Sequence, residues 1–129
     1  MANKSKNNSS SLDTRIERQT MIASNMNFAA SEAYKLLRTN LLFSFSTAEG
    51  CRIVGMTSSF RGEGKSLTSV NLAYTLAEAR KNVLLIEGDM RLPTLSKRLR
   101  LKSSPGLSNL LVGLNSLSEA IQYFDVEVE

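Results

Sequence analysis

Apolar and polar positions divide the chain into a polar beginning and a longer patterned part. Residues 1–27 are rich in Asn, Ser and Lys, and such a composition buries too little apolar surface to offset the entropy of ordering. We therefore predict a disordered tail. Its basic residues could contact an anionic membrane surface, although a solvated tail is the simpler interpretation. Residues 28–129 are predicted to form one modest folded domain.

The first predicted helix follows this tail. Ser31 is the predicted N-cap. Apolar side chains recur at helical spacing; they are Tyr34, Leu37, Leu41 and Phe45, with Leu36 and Phe43 widening the face. The opposite side carries a polar stripe of Glu32, Lys35 and Arg38. Spacing alone favours a solvated stripe with weak ion pairing between residues three apart.

Two short apolar runs flank a second predicted helix. Residues 52–57 and 83–86 have the composition of buried parallel strands, and residues 67–80 have helical spacing. Strand, helix and strand in this order form a βαβ unit. The predicted fold is therefore α/β, a three-layer parallel sheet flanked by helices. Shorter elements are also predicted: helices near 95–99, 107–113 and 117–123, and a strand beginning in 124–129.

The junction between the first strand and the second helix has the pattern of a phosphate-binding loop. It reads Ser-Phe-Arg-Gly-Glu-Gly-Lys-Ser from Ser59 to Ser66, with Ser59 where the pattern begins with glycine. Gly62 and Gly64 let the backbone curl toward phosphate oxygens, and the following helix adds N–H donors. Lys65 is predicted to reach the β- and γ-phosphates, and Ser66 to bind Mg²⁺. The alternative is a glycine-rich turn with a solvated lysine.

Two acids follow the second predicted strand. Glu87 and Asp89 stand at its carboxyl end, where open parallel sheets bind ligands. One carboxylate could serve Mg²⁺ and the other a substrate hydroxyl. The alternative is a pair of loop acids that meet Arg91 in solvent.

The composition of the chain limits the kinds of site and partner that it can have. The 129 residues include one cysteine and no histidine, so an internal disulfide and imidazole chemistry are excluded. The net charge of +4 is mild and the basic residues are scattered, which does not indicate a nucleic-acid partner. No apolar run is long enough to cross a bilayer and no signal peptide is evident, so we expect a cytoplasmic protein.

Five segments occur in an order that resembles a known family. They are Glu32–Asn40, the Gly-Glu-Gly-Lys-Ser loop, Asn71–Ala73, Val83–Arg91 and Pro105–Ser108. Together they resemble the bacterial tyrosine kinases (BY-kinases) of capsule and exopolysaccharide synthesis, over about residues 28–122. The related partitioning and division-site ATPases carry a signature lysine early in the loop. Phe60 stands at that position, which favours the kinase branch.

The resemblance implies autophosphorylation and γ-phosphoryl transfer from Mg·ATP to protein tyrosines. ATP would be held by Phe60, Arg61, Gly62, Glu63, Gly64, Lys65, Ser66 and Leu67. Ser66 and Asp89 would hold Mg²⁺, and Lys65 would stabilise the transferred group. Glu87, where the family usually has Asp, would activate the tyrosine hydroxyl. The stripe of Glu32, Lys35 and Arg38 matches a motif that packs subunits into a ring, with Lys35 in place of the first arginine.

Other parts of the family pattern have no match in the chain. The third nucleotide motif, an apolar strand ending in Asp, is absent, as is a tyrosine-rich C-terminal tail. We therefore expect the N-terminal portion of a longer kinase, with an incomplete sheet. The resemblance also implies a transmembrane adaptor of polysaccharide chain-length control, which would bring the protein to the inner face of the plasma membrane. The alternatives are a partitioning-type ATPase and a non-catalytic partner of an intact kinase ring.

Overall fold

The computed structural model describes residues 26–45 and 50–124. The chain divides into two compact units, Met1–Val83 and Leu84–Glu129, and their boundary falls inside the predicted strand 83–86. The helices of the described residues are α1 (Phe28–Ser44), α2 (Lys65–Glu78), α3 (Leu95–Arg98), α4 (Leu107–Leu111) and α5 (Leu117–Ala120). Most of the predicted tail and residues 125–129 of the last predicted strand lie outside the described residues.

Helix α1 begins three residues before the predicted N-cap. The side-chain oxygen of Asn27 accepts a hydrogen bond from the Ala30 N–H at 2.8 Å, so Asn27 is the N-cap. The prediction of Ser31 is wrong, because the Ser31 N–H already donates to the Asn27 carbonyl at 3.1 Å within the first turn. Asparagine is among the preferred N-cap residues, since its short side chain reaches the free amides of that turn.

Helices α1 and α2 pack against each other in the first unit. Helix α2 carries four buried residues, the apolar Val70 and Leu72 and the polar Asn71 and Thr75. No residue of helix α1 is buried to that extent. Leu36 and Phe43, which were predicted to widen its apolar face, are mostly exposed.

The predicted strands are not formed by any residue that the structure describes. Large apolar side chains in both segments are exposed, namely Ile53, Val54, Met56, Val83, Leu84 and Ile86. The N–H and C=O groups of a strand form hydrogen bonds with a neighbouring strand. Without such a neighbour, an extended apolar run gains no backbone hydrogen bonds. The parallel sheet is therefore a prediction that the structure does not confirm, while the helices at 67–80, 95–99, 107–113 and 117–123 are confirmed within a few residues.

The second unit is built from short helices and side-chain caps. Leu95 is buried at the start of α3. Helices α4 and α5 pack together, and Gly113 ends the α4 region with a left-handed φ of +75°. At the start of α5, Glu119 Oε2 accepts hydrogen bonds from the Ser116 N–H (2.7 Å) and hydroxyl (2.9 Å). These bonds, with a weaker one from Asn115, lower the pKa of Glu119.

No helix within residues 26–45 and 50–124 combines the length and apolar character needed to cross a bilayer.

Candidate nucleotide-binding site

The backbone of the predicted phosphate-binding loop is curled at its two glycines. Gly62 and Gly64 have left-handed φ angles of +88° and +89°. Apart from the glycine itself and its two chain neighbours, no described residue has an atom within 4 Å of where a Cβ would stand, so the loop is open on those sides. A side chain at such a φ would be strained, which is why glycine is suited to both positions.

Gly64 is the N-cap of α2, and the first helical hydrogen bond runs from the Thr68 N–H to the Gly64 carbonyl at 2.8 Å. The amides of Lys65, Ser66 and Leu67 precede it and have no backbone acceptor among the described residues. A helix start of this kind presents N–H donors and a partial positive charge, the combination that phosphate groups need.

The Lys65 side chain is held against the loop. Its Nζ donates to Ser58 Oγ at 2.6 Å and to the Phe60 carbonyl at 3.3 Å. The Ser58 hydroxyl donates to the same carbonyl at 2.9 Å, and the Phe60 N–H donates to Glu63 Oε2 at 3.1 Å. Lys65 is half-buried, so the structure shows an engaged lysine where the alternative interpretation had a solvated one.

The remaining loop residues differ in exposure. Phe60 has 73% of its surface exposed, and Arg61 is also exposed. Ser66 and Leu67 are half-buried in the first turn of α2. The Ser66 hydroxyl makes no hydrogen bond to a described residue, which leaves its oxygen free to bind a cation.

The two predicted acids belong to the second unit and are engaged with backbone amides there. Glu87 accepts hydrogen bonds from the N–H groups of Thr94 (2.7 Å) and Leu95 (3.1 Å to each carboxylate oxygen). It thus stabilises the start of α3, a role that its distance of seven residues in the sequence did not reveal. Asp89 accepts with Oδ1 from the N–H groups of Arg91 (3.2 Å) and Leu92 (3.0 Å).

Asp89 Oδ2 accepts no hydrogen bond from a described residue, so it remains available as a ligand. The described residues contain no group of three His, Cys, Asp or Glu side chains that could hold a metal ion. A Mg²⁺ ion at a nucleotide site typically takes only one or two protein oxygens, with waters and phosphates for the rest.

The polar stripe of α1 divides into two parts. Lys35 Nζ lies 3.1 Å from Glu32 Oε1, and both side chains are well exposed. Arg38 instead contacts α2, where its Nη1 donates to the Thr75 carbonyl at 2.7 Å and lies 3.6 Å from Glu78 Oε2. The predicted ring contact of all three residues stays a prediction.

Sequence reasoning missed Ser58 as a partner of Lys65, since the loop pattern begins one residue later. It also missed the contact of Arg38 with Thr75 and Glu78. The spacing along α1 shows which residues share a face, but it carries no information on what α2 places opposite them.

The chain is similar to several tyrosine-protein kinases. It is 36% identical over 109 residues to the tyrosine-protein kinase YwqD of Bacillus subtilis (strain 168), a match covering 84% of this chain and 46% of that protein. It is 37% identical over 97 residues to the putative tyrosine-protein kinase CapB of Staphylococcus aureus, covering 75% and 42%. It is also 36% identical over 97 residues to the tyrosine-protein kinase ptk of Acinetobacter johnsonii, covering 75% and 13%.

No family model and no solved structure matches the chain. The chain spans less than half the length of each of these three relatives. The similarity nevertheless extends over most of this chain in proteins from three genera, which agrees with the resemblance that its motifs predicted. Over most of this chain, the similarity therefore supports the family that the motifs predicted, the bacterial tyrosine kinases.

Proposed function

We propose that the chain is the nucleotide-binding part of an ATP-dependent protein-tyrosine kinase, autophosphorylating in its complete form, that regulates capsular or exopolysaccharide synthesis. The observation that carries the proposal is the loop itself. Two left-handed glycines lead into α2, and the Lys65 ammonium is hydrogen-bonded to Ser58 and Phe60 at the start of the loop. The similar proteins named above are called tyrosine-protein kinases, which supports the reaction class.

The residues of the loop fit a Mg·ATP ligand. The amides at the start of α2 are donors for phosphate oxygens, and the open sides of Gly62 and Gly64 allow close approach. Lys65 supplies a positive charge, and the Ser66 hydroxyl supplies an oxygen for Mg²⁺. ATP would provide the phosphoryl group, while the chain would position it.

The acids of the second unit have separate proposed roles. Asp89 would offer its Oδ2 as a Mg²⁺ ligand. Glu87 would accept the proton of a tyrosine hydroxyl, and for this the carboxylate must use lone pairs that the Thr94 and Leu95 amides leave available.

Nucleotide binding is tested by thermal unfolding of the chain with and without Mg·ATP. A ligand that binds only the folded state raises the midpoint, and we expect this rise to disappear in Lys65→Met. Lys81→Met is the matched control, because Lys81 is an exposed lysine after α2. No rise in the wild type, or an equal rise in Lys65→Met, would contradict the proposal.

The kinase reaction is tested by incubation with Mg·ATP, followed by detection of phosphotyrosine. Tyr123 is 89% exposed and is an accessible acceptor within the chain. Phosphotyrosine on the wild type, and none on Lys65→Met, supports transfer by the chain itself.

A non-catalytic partner of an intact kinase ring is the second candidate. Two observations favour it. The chain spans less than half the length of the relative YwqD, and the Glu32–Lys35 pair on α1 is exposed. Co-purification with an intact kinase that survives Lys65→Met but is lost in Lys35→Glu would support this role. The expected location at the membrane is tested by co-purification of the chain with the cytoplasmic tail of a transmembrane adaptor, and recovery of the two together would support it.

A further inference from the structure

Ser58 lies immediately before the phosphate-binding loop and contacts its lysine. The Ser58 hydroxyl oxygen accepts a hydrogen bond from Lys65 Nζ at 2.6 Å, and the hydroxyl donates to the Phe60 carbonyl at 2.9 Å. Lys65 Nζ is also 3.3 Å from that carbonyl. The ammonium, the hydroxyl and the carbonyl therefore form a closed ring of three hydrogen bonds.

The number of N–H and O–H donors used within this ring determines how many further hydrogen bonds Lys65 and Ser58 can donate. A lysine ammonium has three N–H donors and no acceptor, whereas a serine hydroxyl has one donor. Lys65 uses two of its donors within the ring, and the third has no partner among the described residues. Ser58 uses its single donor on Phe60, so it has none left for a phosphate oxygen.

Both peptide groups that flank the Phe60 Cα are hydrogen-bonded. The Phe60 N–H donates to Glu63 Oε2 at 3.1 Å, while the Phe60 carbonyl accepts from Ser58 and Lys65. Rotation of either peptide group would break hydrogen bonds of the loop. The acceptors of the Lys65 ammonium are therefore held in place by the loop itself.

We propose that Ser58 is the positioning residue of Lys65. Its hydroxyl holds the ammonium at the loop and leaves one N–H for an oxygen of a nucleoside triphosphate. The identification of that oxygen as part of a nucleoside triphosphate rests on the proposed function. The contact between Ser58 and Lys65 does not, and it can be tested without nucleotide.

The first experiment measures how fast an amine-reactive ester acylates Lys65 in the full chain without nucleotide, relative to the exposed Lys81, by peptide mass spectrometry. We expect Ser58→Ala to raise this ratio about three- to tenfold, the equivalent of one typical intramolecular hydrogen bond. Ser58→Thr keeps the hydroxyl and should leave the ratio unchanged.

Ser69→Ala is the matched control. The Ser69 hydroxyl donates to the Lys65 carbonyl at 2.9 Å, so this change removes a serine contact to the backbone of Lys65 but none to its ammonium. An unchanged ratio in Ser58→Ala, or an equal rise in Ser69→Ala, overturns the inference. If Ser58→Ala melts early, Ser58→Cys repeats the test, because a thiol is only a weak hydrogen-bonding group.

The second experiment measures Mg·ATP affinity. Ser58→Ala should weaken it about three- to tenfold, whereas Ser69→Ala, which leaves the Lys65 ammonium untouched, should not change it. Equal losses in Ser58→Ala and Ser69→Ala overturn the positioning role. If acylation responds to Ser58→Ala but the wild type binds no Mg·ATP, the contact stands and the proposed function fails. If the wild type binds but acylation does not respond, only the inference fails.

Discussion

The side-chain amide of Asn71 is fully buried in α2, and neither its nitrogen nor its oxygen has a hydrogen-bond partner among the described residues. A buried polar group without a partner costs about 1–3 kcal/mol. Leucine has a similar size and no polar atoms. We therefore expect Asn71→Leu to raise the free energy of unfolding by about 1 kcal/mol, measured by urea denaturation with circular dichroism.

Thr75 gives the matched control for Asn71. It is also buried, one turn further along α2, but its hydroxyl donates to the Leu72 carbonyl at 3.0 Å. Thr75→Val removes a bond that is in use, so the free energy of unfolding should fall by about 1 kcal/mol. A similar fall in Asn71→Leu would mean that the Asn71 amide has a partner in solution, such as a buried water, and the prediction would be wrong.

At the scale of elements, one side chain joins the two helices of the first unit. Arg38 of α1 is partly buried, and its guanidinium donates to the Thr75 carbonyl of α2 at 2.7 Å, with Glu78 at 3.6 Å. We expect Arg38→Ala to lower the free energy of unfolding by about 1–2 kcal/mol, because it removes a charge-assisted hydrogen bond. Lys35→Ala removes an exposed ion pair and should cost less than about 0.5 kcal/mol.

The same two variants distinguish the packing of α1 on α2 from the predicted assembly of subunits into a ring. The resemblance to the kinase family predicts that Lys35 and Arg38 share a ring contact, and sedimentation measures the assembled fraction. If Arg38→Ala disperses an assembly but leaves the urea midpoint unchanged, its intramolecular contact with α2 contributes nothing to stability. That result would contradict the packing role and favour the ring.

The elements that were predicted correctly are those that a local pattern determines. Helix α2 follows from its apolar spacing and the glycine loop before it, and Gly113 has the positive φ expected of a helix stop. The start of α1 was missed because Asn27 precedes three small or aromatic residues without a clear period. The cap that Glu87 forms on α3 was missed because it depends on how the chain between them turns.

The strands were harder to predict, for a different reason. An apolar run of four to six residues pairs only when another segment supplies the opposite hydrogen bonds, and that segment lies elsewhere in the sequence. The motif of the candidate site is local, so the sequence alone is enough to name Gly62, Gly64 and Lys65 as candidates. The contact of Ser58 with Lys65 depends on how the lysine side chain bends, which spacing does not reveal.

At the scale of the whole molecule, most apolar side chains of the two predicted strands are exposed, while Leu85 is half-buried. Similarity to tyrosine-protein kinases suggests an α/β fold, yet the regular elements of the described residues are all helices. Ile53 is 89% exposed, whereas Val70 in α2 is 6% exposed. Ile53, compared with the buried Val70, therefore reports whether residues 52–57 are exposed to solvent or buried in a sheet.

Truncation of each side chain measures which state exists in solution. Val70→Ala should lower the free energy of unfolding by about 2 kcal/mol, because it removes buried methyl groups and leaves a cavity. Ile53→Ala should change it by less than about 0.5 kcal/mol, as expected for an exposed position. Urea denaturation of both variants at matched concentrations gives the comparison. A loss in Ile53→Ala as large as that in Val70→Ala would show that residues 52–57 are buried in solution. The predicted sheet would then be formed, and the exposed arrangement of this segment would be wrong.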